Sequence, residues 1–302
     1  MIRIGVDFGG TKIEAAALDP VGVEMARVRM ANPGDYDAAL RTVADLVERA
    51  REQSGAARGP VGVGIPGSVS PTTGLIRGSN SVWMNGRDFA GDLARVLDRP
   101  VRLANDANCM VLSEATDGAA AGAKGAVFGA ILGTGTGGGV VVDGKLLEGA
   151  NGVAGEWGHT PLPWPTQQDQ APPCWCGRKG CLETFVSGTA LAADHARATG
   201  RILRSEEIIA AARGKDRWAK AALDRYIERL GRALAVMIDL IDPSVIVLGG
   251  GMSNVTELYE RLPEATAPHV FADVWRAKIA KAAHGDSSGV RGAARLWPLE
   301  AV

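Results

Sequence analysis

The chain has 302 residues, 46% of them hydrophobic and 22% charged, enough for one large or two medium domains around a real core. Lys and Arg total 33 against 34 Asp and Glu, a formal net charge of −1, so no basic field invites nucleic acid. No apolar run reaches the roughly 18 residues of a membrane span, and strand-like sequence from Ile2 leaves no room for a signal peptide. A cytoplasmic protein that meets no membrane is expected.

Forty glycines stand out against a usual share of about 7%. They fall at the ends of apolar runs, where a backbone can approach a ligand. The first run, from Ile2 to Asp7, ends in an acid and leads into Phe8-Gly9-Gly10-Thr11-Lys12. Two further strands follow, Ile13 to Leu18 and Val21 to Val28, separated by the turn signal Asp19-Pro20. In such a strand-turn-strand the amides of residues 9–12 can point at phosphate oxygens. Thr11 and Lys12 would add a hydroxyl and a charge, and Asp7 would hold Mg²⁺ directly or through water. A plain hairpin with a Gly-Gly turn has the same local pattern.

Leu40, Val43, Val47 and Ala50 give residues 35–53 a helical period. A buried strand over 61–65 breaks into Pro66-Gly67. The polar, glycine-bounded stretch 78–86 carries Asn80 and Trp83, and reads either as a ligand-lining loop or as a turn with one anchoring aromatic. A strand over 101–104 runs into Asn105-Asp106-Ala107-Asn108 and a helix to about Thr116. An acid at this junction suits the active site of an open α/β sheet, and equally suits a helix N-cap.

A small-residue hinge over 117–124 precedes a second strand, turn and strand. Here Gly133-Thr134-Gly135-Thr136-Gly137-Gly138-Gly139 interrupts two apolar runs, followed by the turn Asp143-Gly144. Its likeness to residues 2–22 predicts a duplicated fold with a nucleotide between the halves. Next come Glu156-Trp157-Gly158-His159, a Pro- and Gln-rich loop, and Cys174-Trp175-Cys176 ahead of Gly180-Cys181-Leu182-Glu183. Three of the four cysteines fall within eight residues, fifteen residues after a histidine. With glycines after Cys176 and before Cys181, His159, Cys174, Cys176 and Cys181 match tetrahedral Zn²⁺ better than a disulfide framework. A long helix is predicted over 217–241. The strand 245–248 ends in Gly249-Gly250-Gly251 ahead of a helix begun by Ser253, a turn suited to a nucleoside or ribose. Lys278 to Lys281 reads as a solvated edge, and His284 to Gly289 as the cap of a final short helix.

Taken in one order, the motifs Asp7-Phe-Gly-Gly-Thr-Lys12, Asn105-Asp-Ala-Asn-Cys109, Gly133-Thr-Gly-Thr-Gly137, Glu156-Trp-Gly-His159, the cysteine cluster and Leu248-Gly-Gly-Gly251 resemble the ROK family over essentially the whole chain. Ser79-Asn-Ser-Val-Trp-Met-Asn-Gly86 and the ending His284-Gly-Asp-Ser-Ser-Gly-Val-Arg-Gly-Ala-Ala294 are most like its bacterial fructokinases. The family's repressors carry a DNA-binding helix-turn-helix ahead of the acidic glycine motif, an element not expected here.

The resemblance implies an α/β, actin-like (ribonuclease-H-like) duplicated fold of two domains around a cleft. Residues 1–117 with 286–302 would form the smaller domain and 118–285 the larger. It implies ATP-dependent phosphorylation of a hexose, fructose first, at the 6-hydroxyl, with Mg-ATP and a structural zinc, and a homodimer. Asp106 would be the general base. Gly5, Asp7, Gly9, Gly10, Thr11, Lys12, residues 133–139 and Gly249, Gly250 and Gly251 would hold the nucleotide. Gly67, Asn80, Asn105, Asp106, Glu156, His159 and Glu183 would meet the sugar, because carboxylates and amides match hydroxyls that both donate and accept. An N-acetylhexosamine kinase or a glucokinase is the alternative within the family. A sugar sensor without turnover is the alternative outside the enzymes, and Asp7, Lys12 and Asp106 argue against it.

Overall fold

Alternation and glycine placement explain the first half of the chain. The computed structural model describes residues 2–298; Met1 and residues 299–302, expected in the first domain, lie outside them. The first half contains β1 (Arg3–Phe8), β2 (Lys12–Leu18), β3 (Glu24–Ala31), α1 (Tyr36–Ser54) and β4 (Val61–Ile65). The two-residue strands β5 (Ser68–Val69) and β6 (Ile76–Arg77) follow, then α2 (Phe89–Leu97), β7 (Val101–Asn105) and α3 (Asp106–Asp117). The later elements are β8 (Ala126–Leu132), β9 (Thr136–Val142), β10 (Lys145–Leu146), α4 (Glu183–Val186), α5 (Gly188–Thr199) and α6 (Ser205–Arg213). After these come α7 (Arg217–Ile241), β11 (Val245–Gly249), α8 (Thr256–Thr266), β12 (Lys278–Lys281) and α9 (Ser288–Ala294).

The chain divides into two units: Met1–Ala121 with Gly144–Ala154 and Ala283–Val302, and Gly122–Asp143 with Gly155–Ala282. The expected division differs mainly in leaving 144–154 with the larger domain. Arg77 holds that stretch to the first unit by donating to the Asn151 carbonyl at 2.8 Å.

In the first unit the strand order is β3-β2-β1-β4-β7, antiparallel through β1 to β3 and parallel from β1 to β7. Side chains alternate across a strand. Ile4, Val6 and Phe8 of β1 and Val61, Val63 and Ile65 of β4 therefore share one core with α1 and α2. On the other face the alternating residues are Gly5 and Gly62, and α9 lies close enough to touch backbone. A Cβ on Gly5 would stand 2.3 Å from the Val290 carbonyl, and one on Gly62 1.8 Å from that of Ala293. Gly5, expected at phosphate, is thus a packing residue, buried in mid-strand. α9 also meets α3, where a Cβ on Gly292 would fall 1.7 Å from the Cys109 carbonyl. Gly292→Ala is expected to lower stability by about 3 kcal/mol through overpacking, read as a lowered denaturant midpoint; an unchanged midpoint would contradict this packing.

The second unit repeats the plan. Its strands run β9-β8-β11-β12, antiparallel at β8–β9 and parallel onwards, as β2-β1-β4-β7 do in the first. The expected duplication is present. α7 buries Leu223, Ile227, Leu230 and Leu234 of the predicted stripe, while Ile241 is only partly covered. One local expectation is refined and one changes. Lys278–Lys281 is a sheet-edge strand, with Ala280 buried and exposed lysines protecting the edge. Ser253 lies in a 3₁₀ turn and bonds back to the Gly250 carbonyl, so the helix begins at Thr256. Among the described residues no helix is long and apolar enough to cross a membrane.

Candidate active site

In the first unit the parallel strands end at the candidate acids. Alternation places Asp7 on the α9 side of β1, where a Cβ on Gly289 would lie 3.1–3.3 Å from its carboxylate. Gly289, read from the sequence only as part of a helix cap, packs directly against this carboxylate. Burial first, and then the charges of Asp106 and Glu14, push the Asp7 carboxyl up to about 7, against the pull of Lys12 and Arg27. Carboxylates gathered in this way favour a cation, which would remove the cost of ionising them together. Asp7 fits Mg²⁺ on the chemistry of its oxygens.

Gly9 closes the β1–β2 turn by donating to the Lys12 carbonyl at 2.9 Å, while Gly10 and Thr11 are exposed. Asn32 was not singled out from the sequence. It clips this turn, with its amide donating to the Thr11 carbonyl at 2.9 Å and its Nδ2 to the Gly9 carbonyl at 2.8 Å. Lys12 leans towards buried Glu14, at 3.9 Å.

At the β7–α3 junction the two readings of the acid separate. Asn105 is the N-cap, accepting from the Ala107 amide at 2.9 Å, and its Nδ2 donates to the Gly67 carbonyl at 3.1 Å. Asp106 is the first helical residue and is exposed; its Oδ1 shares the Ala107 amide at 2.8 Å. Capping thus falls to the neighbour. Gly67 has φ +86°, and a Cβ there would stand 2.6 Å from the Arg77 carbonyl, so the loop needs glycine. Asn80 is exposed on the loop that Asn85 clips through Ser79, at 2.9 and 3.0 Å. Trp83 of that loop meets Phe8 and Tyr36 edge-on, at 6.0 and 6.4 Å, so the aromatic is an anchor beside the end of β1.

In the second unit, the β8–β9 turn exposes Thr134, while Gly133, Gly135 and Gly137 are half-buried. Gly138 has a structural cause: a Cβ would stand 2.7 Å from the Trp157 ring. That indole donates to the Gly137 carbonyl at 2.8 Å, and Gly158 rests on the Thr136 carbonyl. Trp157 and Gly158 therefore clamp their turn to β9, leaving Glu156 exposed and His159 half-buried on either side. Gly250, at φ +76°, packs against the Leu132 backbone and brings the β11 turn beside Gly133; Gly251 has open space around it. Glu183, expected at the sugar, has one oxygen accepting from the Thr136 amide at 3.0 Å and the other from the Trp175 indole at 2.6 Å.

His159, Cys174, Cys176 and Cys181 come together, all ligand atoms within 4.8 Å of one another. A tetrahedron with zinc–sulfur bonds of about 2.3 Å has edges of roughly 3.5–3.8 Å. The Cys176–Cys181 separation of 3.6 Å and the Cys174–His159 Nδ1 separation of 3.7 Å fit it. Gly177 and Gly180 take φ of +87° and +71°, the turns anticipated around an ion. Burial, then Cys176 and Cys174, push the Cys181 thiol up to about 12, whereas the Arg178 amide draws Cys176 down. Crowded thiols of opposing tendency suit a cation that ionises all three.

The loop before the cysteines, left open by the sequence, is held by a buried carboxylate. Asp169 accepts from the Thr166 amide at 2.8 Å and pairs with Arg229 at 2.7 Å and Arg232 at 2.9 Å, both on α7. Arg232 also donates to the carbonyl of Trp164, a residue at φ +45°.

The profile of the ROK family matches residues 3–300. The N-acetylgalactosamine kinase AgaK of Shewanella sp. (strain ANA-3) is 42% identical over 97% of this chain and 95% of its own. An N-acetyl-D-glucosamine kinase of Photobacterium profundum is 41% identical over 97% of this chain and 98% of its own. Among solved structures, a ROK hexokinase from Thermus thermophilus superposes with a TM-score of 0.87 at 32% identity, covering 97% of each chain.

Proposed function

The chain belongs to the ROK family, and we propose that it is an ATP-dependent sugar kinase whose acceptor is an N-acetylhexosamine. The observation that carries this reading is identity above 40%, along nearly the whole chain, to two kinases named for such sugars. Fructose, expected from residues 79–86, loses its support. Trp83 and Asn85 in that loop are accounted for by packing on Phe8 and by the clip to Ser79, so the signal reports fold rather than sugar.

Phosphoryl transfer needs positioning and charge stabilisation more than covalent chemistry. In this reading the Asp106 carboxylate accepts the proton of the attacking sugar hydroxyl, the 6-hydroxyl by family analogy. Asn105 holds the β7–α3 junction and the Gly67 loop in place for it. Asp7 would hold Mg²⁺, which supplies charge neutralisation on the phosphates. Lys12 and the turn amides of residues 10–11 and 134–135 supply further positive ends, and Gly251 the room for a nucleoside. Asn80, Glu156 and His159 are assigned to sugar hydroxyls, as is Glu183, whose oxygens each keep a lone pair beyond the bonds described. Zinc on His159 and the three cysteines would fix the loop bearing Glu156, His159 and Glu183.

Sugar-dependent ADP release across N-acetylglucosamine, N-acetylgalactosamine, fructose, mannose and glucose tests the proposal. An acetylated sugar is expected to give kcat/KM higher than fructose by about tenfold or more. Preference for fructose would return the reading to a fructokinase, and no ADP from any sugar would end the kinase reading.

A further inference from the structure

Trp175 stands between two candidate zinc ligands, is 67% exposed, and yet is held on two sides. Its ring meets the His159 imidazole edge-on at 5.0 Å and 83°. Its Nε1–H donates to Glu183 Oε1 at 2.6 Å, a charge-assisted bond. The second oxygen of Glu183 accepts from the Thr136 amide at 3.0 Å and fills the space where a Cβ on Gly135 would fall, 2.5 Å away. Indole, carboxylate and amide thus form a continuous link, within one unit, from the cysteine loop to the β8–β9 glycine turn. A carboxylate held by a single donor would be able to rotate; two donors on opposite oxygens fix its plane. Loss of the indole N–H would loosen Glu183 and with it the amide that shapes the turn.

We infer that Trp175 is a positioning residue for the nucleotide, acting through Glu183 on residues 135–136. The inference rests on the kinase reading, which assigns that turn to phosphate. Trp175→Phe keeps an aromatic ring beside His159 and removes only the donor. The test uses the full-length, zinc-loaded protein titrated calorimetrically with Mg²⁺ and a non-hydrolysable ATP analogue, without sugar, while zinc per chain is measured by atomic absorption. The variant is expected to keep its zinc and bind the analogue about fivefold more weakly. Glu183→Gln is expected to weaken binding as well, and Trp175→Phe added to it should change affinity less than about twofold, the mark of a shared route.

Analogue affinity of Trp175→Phe within about twofold of the parent would overturn the inference. Loss of zinc by the variant would also overturn it, since the residue would then serve the metal. So would full additivity with Glu183→Gln. If the parent protein itself binds no analogue, the kinase reading falls and takes the inference with it.

Discussion

Asp106→Asn is expected to lower kcat by about 10³-fold, within the range a positioned general base contributes, and to leave sugar affinity nearly unchanged. The local structure makes this a clean substitution. Asparagine keeps an oxygen for the Ala107 amide, and the N-cap belongs to Asn105, so α3 loses little. What disappears is a carboxylate able to take the sugar proton. Its charge is also one of the causes raising the Asp7 carboxyl, so removing it makes Asp7 easier to ionise. Cation binding through Asp7 should therefore survive. Steady-state turnover with calorimetric sugar binding separates the two effects. Near-normal turnover would take the base assignment from Asp106, and lost sugar binding would make it an anchor rather than a base.

Asp169→Ala is expected to destabilise the protein at pH 7 by about 3 kcal/mol, the scale for breaking a buried ion pair by removing one partner. Asp169, Arg229 and Arg232 have side chains only 2–3% exposed. The variant would leave Arg229 with Asp194 and Arg232 with Glu228 and two carbonyls, which moderates the loss. Burial alone would raise the Asp169 carboxyl, but the Thr166 amide, Arg229 and Arg232 outweigh it and hold the group well below its ordinary range. Since the folded value lies below the unfolded one, this contribution is complete above about pH 4 and is lost as pH falls below that. Urea denaturation at pH 7 and at pH 3 should show the gap between parent and variant narrowing in acid. A gap equal at both pH values would contradict the ionic origin, and no gap at pH 7 would contradict the pinning of this loop.

Much of this was legible in the sequence because it depends on local chemistry. An acid closing an apolar run, glycines with threonine between strands, and C-x-C-x₄-C behind a histidine each specify a short-range geometry, and the structure contains each. Glycine was legible as a signal but not by cause. Gly5 and Gly62 admit α9, which comes from the far end of the chain, Gly292 of α9 admits the backbone of α3, and Gly138 admits Trp157. Only the partner's position distinguishes a glycine that approaches phosphate from one that admits a helix. Asn105 and Asp106 are adjacent polar residues at one helix start, and which of them caps depends on backbone dihedrals that composition does not carry. The Asp169 contacts span 60 and 63 residues, beyond any local period. The acceptor sugar was the least legible, since the loop used to judge it is shaped by aromatic packing.

The central claim, transfer of a phosphoryl group from ATP to an N-acetylhexosamine, is tested most directly by ³¹P NMR of the protein incubated with Mg-ATP and N-acetyl-D-glucosamine or N-acetyl-D-galactosamine. The γ-phosphate signal should be replaced by ADP signals and one sugar phosphomonoester. ADP with inorganic phosphate alone, or an unchanged ATP spectrum with both sugars, would contradict the claim.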